Sequence, residues 1–136
     1  MDDNTTLEDQ QKEKRYWFER ALNLLMRREH SIVEFRQKLT LKGCDAQLVE
    51  EIIAQCIEAN YLSLERFAEV FARNQAQLGY GPKKVQFLLK QHQVPSDLVS
   101  IALEEANFDE AKAIALRKIG QKPEPKLKAA LYRRGF

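Results

Sequence analysis

The stretch 78-LGYGPKKVQFLLK-90 is the part of this chain that comes nearest to a chemical motif. Two glycines bracket a tyrosine, and two lysines follow. A glycine-rich turn ahead of a helix exposes backbone N–H groups that can cradle phosphate. A nucleotide-binding loop, however, needs two glycines five positions apart followed by Lys and Ser/Thr, and a dinucleotide fingerprint needs three spaced glycines after a strand. Neither pattern is met. Helix punctuation accounts for the same residues: Gly79 ends one helix, Gly81 is the next N-cap, and Pro82 takes the first helical position.

The remaining reactive side chains are few. Cys44 and Cys56 are the two cysteines, and His30 and His92 the two histidines. With no secretion signal the thiols are expected to be reduced, and Cys56 falls within an apolar helical pattern. The histidines lie far from any Cys/His group of metal-ligand spacing. No Ser/His/Asp or Cys/His arrangement stands out. The chain is therefore expected to have no catalytic residues, no metal and no cofactor, and not to be an enzyme.

Charge is more informative than reactivity. The formal net charge is only +2 over 136 residues, but its distribution is uneven. Residues 1–14 carry −3 and residues 15–72 carry −1. Residues 73–100 carry +3, residues 101–110 carry −4, and residues 111–136 carry +7. A basic terminal segment suits an anionic partner such as nucleic acid, although a solvated helix face gives similar runs.

Helices must hold these charges. Leu, Ala, Glu, Gln, Lys and Arg dominate, with five glycines and four prolines, and these are strong helix formers. Residues 1–12 read as a mobile polar tail. A helix follows from about Lys14 to Arg28, with Trp17, Phe18, Ala21, Leu22, Leu24 and Leu25 at helical spacing. In 31-SIVEFRQKLTLKG-43, Ser31 and Glu34 form a capping box, Ile32, Phe35 and Leu39 form the apolar stripe, and Gly43 is the stop. Asp45 caps a helix burying Leu48, Val49, Ile52, Ile53 and Cys56. Ser63 caps another with Leu64, Phe67, Ala68, Phe71 and Ala72 inward. A fifth helix starts in the opening stretch, a sixth near Pro95, a seventh near Phe108 and an eighth near Pro123. No apolar run approaches the roughly 18 residues of a membrane span.

The helices repeat. A shift of 50 lays Phe35, Leu39, Leu48, Val49 and Ile53 on Val85, Leu89, Leu98, Val99 and Leu103. A shift of 92 lays Phe35, Leu39 and Gly43 on Leu127, Leu131 and Gly135. The expected organisation is a three-helix module at 13–60, a second at 61–107, and a third at 108–136 that stops before its last helix. In the second helix of each module Glu34, Lys84 and Lys126 share a column, as do Arg36, Gln86 and Lys128, and Lys42, His92 and Arg134. Lys83, Lys90 and Arg133 add to the same region. Arg36, Lys42, Lys83, Lys84, Lys90, Lys126, Lys128, Arg133 and Arg134 are the candidate contacts to phosphates or to an acidic protein surface.

Three motifs in order, 21-ALNLLMRREHSIVEFRQKLTLKG-43, 61-YLSLERFAEVFARNQAQLGYGPKKVQFLLKQ-91 and 127-LKAALYRRGF-136, resemble the RecX family of bacterial recombination regulators. The resemblance covers about residues 16–136. Gln93 departs from it, standing where a glycine often closes the helix. It implies an all-α fold of tandem three-helix modules in an elongated, curved, right-handed-type array. It also implies a cytoplasmic, monomeric, non-membrane protein of homologous recombination, DNA repair and the SOS response. Such a protein binds the RecA filament on single-stranded DNA and suppresses its ATPase, strand-exchange and co-protease activities. Two other readings compete. A stand-alone nucleic-acid-binding module is opposed by the acidic block at 104–110 and the near-neutral first half. A generic repeat adaptor is opposed by a period far from 34 residues.

Overall fold

The computed structural model describes residues 3–136, with side chains from residue 6 onward. Among the described residues there are eight helices and no strand. They are α1 (Asp3–Arg27), α2 (Ile32–Leu41), α3 (Ala46–Glu58), α4 (Leu64–Gln77), α5 (Pro82–Gln91), α6 (Ser96–Glu105), α7 (Phe108–Ile119) and α8 (Glu124–Arg133). The chain divides into two compact units, one ending at Ser63 and the other spanning Leu64–Phe136.

In the first unit α3 packs on both α1 and α2. Its core is the apolar set expected from the 3.6-residue period: Trp17, Ala21, Leu24, Phe35, Leu39, Leu48, Val49, Ile52, Ile53 and Cys56 are all buried. Ser31 Oγ accepts a hydrogen bond from the Glu34 N–H at 3.2 Å, and Asp45 caps α3 through Gln47 and Leu48. The Glu34 carboxylate meets the Arg28 guanidinium in a bidentate pair. His30 is buried beside this pair. Its Nδ1 lies 3.0 Å from the Arg28 carbonyl and its Nε2 lies 2.9 Å from Lys38 Nζ. A lysine can only donate, so Nε2 accepts and Nδ1 carries the proton given to the carbonyl. Burial is the main cause that pushes the His30 pKa below its ordinary value.

Residues 3–12, expected to be a polar tail, are helical as the start of α1; residues 1 and 2 lie outside the described residues. Residues 6–12 are exposed, but Leu7, Glu8, Gln10, Gln11, Lys12 and Glu13 are good helix formers and extend α1 without an apolar face to bury.

In the second unit α4 packs on α5, α6 and α7, and α7 packs on α8. Phe67, Ala68, Ala72, Val85, Leu89, Val94, Val99 and Ala102 form its core. The two helices of the sequence's third module join this unit, burying Ala111, Ala115 and Ala130.

The repeat is also visible in how the helices end. The Gly43 N–H reaches the Thr40 carbonyl and the Cys44 N–H reaches that of Leu39. This is the paired bonding of a Schellman cap. Gln93 and Val94 repeat it on α5, and Gly135 and Phe136 repeat it on α8. The left-handed residue of each cap has φ of 100°, 56° and 99° at Gly43, Gln93 and Gly135. Gln93 thus holds a glycine-type conformation without being glycine.

Candidate nucleic-acid interface

The opening loop meets the end of the chain. The Gly81 N–H donates to the Arg134 carbonyl at 2.7 Å, and the Lys83 N–H donates to the Gly135 carbonyl at 3.1 Å. A Cβ on Gly81 would stand 2.5 Å from Gly135 O, and one on Gly135 would stand 2.6 Å from Lys84 N. Gly81 is there because two backbones touch, and at Gly135 the same contact adds to the left-handed φ of its cap. Two N–H groups at this turn, those of Gly81 and Lys83, are spent on the carbonyls of residues 134 and 135. The loop is therefore a backbone dock, and the glycine pattern follows from it.

This dock gathers cations and tyrosines. Lys84 Nζ lies 3.9 Å from the Tyr80 ring centroid and Arg134 Cζ lies 5.5 Å from it. Arg134 Nη1 also donates to the Gly79 carbonyl at 3.3 Å. Lys84 and Arg134 are half-buried, so both help hold the junction as well as charge it. Lys83 and Arg133 are exposed, and Lys83 Nζ lies 5.9 Å from the Tyr132 ring. Nearby, Lys118 Nζ donates to the Leu78 carbonyl.

The other candidates stand differently. Lys90 is exposed near the end of α5, a helix with three lysines and no acid. Lys126 and Lys128 are exposed on α8, and Lys128 pairs with Glu124 at 3.5 Å. At about 100° per residue, Lys126 and Lys128 face different sides of α8, whereas Lys126 and Arg133, seven apart, share one. The charges therefore lie on two flanks instead of a single row. In the first unit Lys42 is exposed at the C-cap of α2. Arg36 is committed to Glu50 through Nε–Oε1 at 2.6 Å and a second hydrogen bond at 3.2 Å. That pair raises the Arg36 pKa and lowers that of Glu50, and it leaves Arg36 less available to an outside anion.

Sequence reasoning passed over Tyr80, Tyr132 and Phe87. Phe87 is 60% exposed and Tyr132 is 72% exposed. The signal for Phe87 was available: it falls off the Val85–Leu89 stripe and between Lys83 and Lys90. Both cysteines are free and buried, and burial pushes the Cys56 thiol up to about 11. No cluster of His, Cys, Asp or Glu among the described residues could hold a metal ion, and no described helix is long and apolar enough to cross a membrane.

The eight helices among the described residues, with a basic, aromatic-studded surface on the second unit, define an all-helical protein of tandem modules. Residues 18–56 match "RecX, first three-helix domain" and residues 65–103 match "RecX, second three-helix domain". The chain belongs to the RecX family of regulatory proteins. It is 37% identical over 127 residues to "Regulatory protein RecX" of Stenotrophomonas maltophilia (strain R551-3), covering 87% of this chain and 78% of that one. It is 34% identical over 125 residues to "Regulatory protein RecX" of Vibrio vulnificus (strain CMCP6), covering 85% and 82%. Its fold is shared with the crystal structure of RecX from Lactobacillus salivarius. The TM-score there is 0.71 at 20% identity, over 92% of this chain and 89% of that one.

Proposed function

We propose that this chain regulates the RecA recombinase by binding its filament on single-stranded DNA and inhibiting ATPase, strand exchange and co-protease activity. It acts by occupancy, as a cytoplasmic monomer with no catalytic step and no cofactor. Membership of a family of regulatory proteins supports this. The observation that carries it is the gathering of Lys83, Lys84, Arg133 and Arg134 about one backbone junction, beside a helix that has no acid. A nucleoprotein groove is anionic, and such a surface is drawn to it.

Titration into a RecA–single-stranded DNA ATPase assay tests the reading. The parent chain should suppress turnover. A variant carrying Lys83→Gln, Lys90→Gln, Lys126→Gln and Arg133→Gln should not, while keeping its helical circular dichroism and thermal midpoint. Lys84 and Arg134 stay in place because they hold the dock. Every phosphate that the variant no longer neutralises should flatten the log–log salt dependence by about 0.7 for a single strand. Equal inhibition by the variant at the same concentration would reject the basic surface as the binding face. The alternative, a stand-alone nucleic-acid-binding module, is separated by a mobility shift on bare single-stranded DNA with and without RecA.

A further inference from the structure

Phe87 and Tyr132 need an explanation that the core does not supply. Shifts of 50 and 42 lay Phe87 on Gln37 and Ala129, all exposed. The module's second helix thus does without an aromatic at this position elsewhere in the chain. A lone exposed apolar residue is ordinary, but Phe87 is not alone. On α5, Lys83, Phe87 and Lys90 stand at i, i+4 and i+7, one exposed face of the helix. Tyr132 of α8 joins the same end, its ring 5.9 Å from Lys83 Nζ. The result is a ribbon that alternates aromatic and cationic groups: Tyr132, Lys83, Phe87, Lys90.

We infer that this ribbon binds unpaired bases of a single-stranded nucleic acid. Phe87 and Tyr132 are its stacking platforms, and Lys83 and Lys90 hold the flanking phosphates. The chemistry points to a single strand because the faces of unpaired bases are free to stack, whereas those of a duplex are covered by neighbouring pairs. An acidic protein surface would engage the lysines but give the two rings nothing to stack on. Spacing fits as well. Lys83 and Lys90 are seven residues apart, about 10 Å along the helix. That exceeds the roughly 3.4 Å rise of a single stacked nucleotide, so the two lysines can hold phosphates that flank at least one base on the ring of Phe87. Stacking on an aromatic face is tolerant of base identity, so the ribbon grips a strand without reading it. α5 has no acid to oppose the strand.

The inference deepens the proposed function, in which the same surface meets a nucleoprotein filament, and it can be tested without the recombinase. The full chain is titrated by fluorescence anisotropy against labelled oligo-dT and against an abasic strand of the same length, at matched salt. Oligo-dT should bind more tightly. Phe87→Ala should weaken oligo-dT binding about 5- to 150-fold, the range for losing one stacked base, and leave the abasic strand unchanged. Phe87→Trp should restore affinity for oligo-dT. Lys83→Gln and Lys90→Gln should weaken both strands and each flatten the salt slope by about 0.7. Because Phe87 is exposed, its variants should keep the parent's thermal midpoint, and that is measured alongside. Equal affinity of the parent for the two strands overturns the inference, as does a Phe87→Ala variant that binds oligo-dT like the parent. The ATPase titration separates the two claims. Inhibition by a parent chain that ignores bases sinks the stacking ribbon alone. Preference for bases by a chain that does not inhibit the recombinase upholds the ribbon and sinks the regulatory reading.

Discussion

Gly81→Ala isolates the backbone dock from everything else in the second unit. The backbone at Gly81 has φ −94° and ψ 171°, an extended conformation open to alanine. Strain in the main chain is therefore not the issue. The new methyl would stand 2.5 Å from Gly135 O, 2.6 Å from Gly135 C and 2.9 Å from Phe136 Cδ1. Two of these atoms are backbone and cannot turn aside, so residues 134–136 must move off. The move breaks the bonds from Gly81 N–H and Lys83 N–H, each contributing about 0.5–1.5 kcal/mol. Alanine also restricts the unfolded chain, which offsets about 0.4–1 kcal/mol. The net expectation is a loss of about 1–2 kcal/mol in denaturant unfolding of the second unit. Hydrogen exchange gives the sharper readout, because the Gly81 and Lys83 amides should lose protection while the amides of α4 keep theirs. A variant as stable as the parent, with the Lys83 amide still protected, would refute the account of why these two glycines are there.

Other outcomes follow from the core and the caps. Leu39→Ala and Leu89→Ala, each at a fully buried site, should each lose about 2–5 kcal/mol of stability; a loss below about 0.5 kcal/mol in urea unfolding would contradict their burial. Gln93→Gly should gain about 1 kcal/mol, because φ is 56° there and a side chain is strained in the left-handed region; a lower thermal midpoint would argue against it. The first unit should weaken on acidification. His30 holds its proton less well folded than unfolded, so as pH falls below the ordinary 6.5 the unfolded chain takes up a proton first and stability drops. Glu34, whose carboxyl is lowered beside Arg28, adds a further loss below about its ordinary 4.5. His30→Phe should flatten the upper of these two windows in denaturant midpoints measured across pH, and an unchanged slope would assign the effect elsewhere.

Much of this was legible because it is local. The Phe35–Leu39 stripe, its copy at Val85–Leu89 and the glycine stop at 43 follow from the 3.6-residue period and from the conformations that glycine alone adopts freely. The helicity of residues 3–12 was hidden by polarity. A helix with no buried face has no apolar stripe to read, only propensity. The meeting of Gly81 with Arg134 had no local signal at all. The glycines read as helix punctuation, because a bare backbone serves a helix end and a backbone contact alike. Arg36 looked like a free base until Glu50, 14 residues on, proved to lie against it. The division of the α8 lysines between two flanks, by contrast, could have been read from helical angle alone.

The dock also sets an order of events in time. The hydrogen bond from Arg134 to Gly79 joins residues 55 apart, against 14 for the Arg36–Glu50 pair of the first unit. Closing a chain costs entropy that grows by about 0.6 kcal/mol per doubling of its length. Two doublings separate these spans, so the longer one is about 1.2 kcal/mol harder to close. Prior packing of α4 to α7 shortens that gap, so residues 134–136 are expected to dock late when the second unit folds and to exchange their amide protons early when it opens. Opening there would separate Arg134 and Tyr132 from Tyr80 and Lys83.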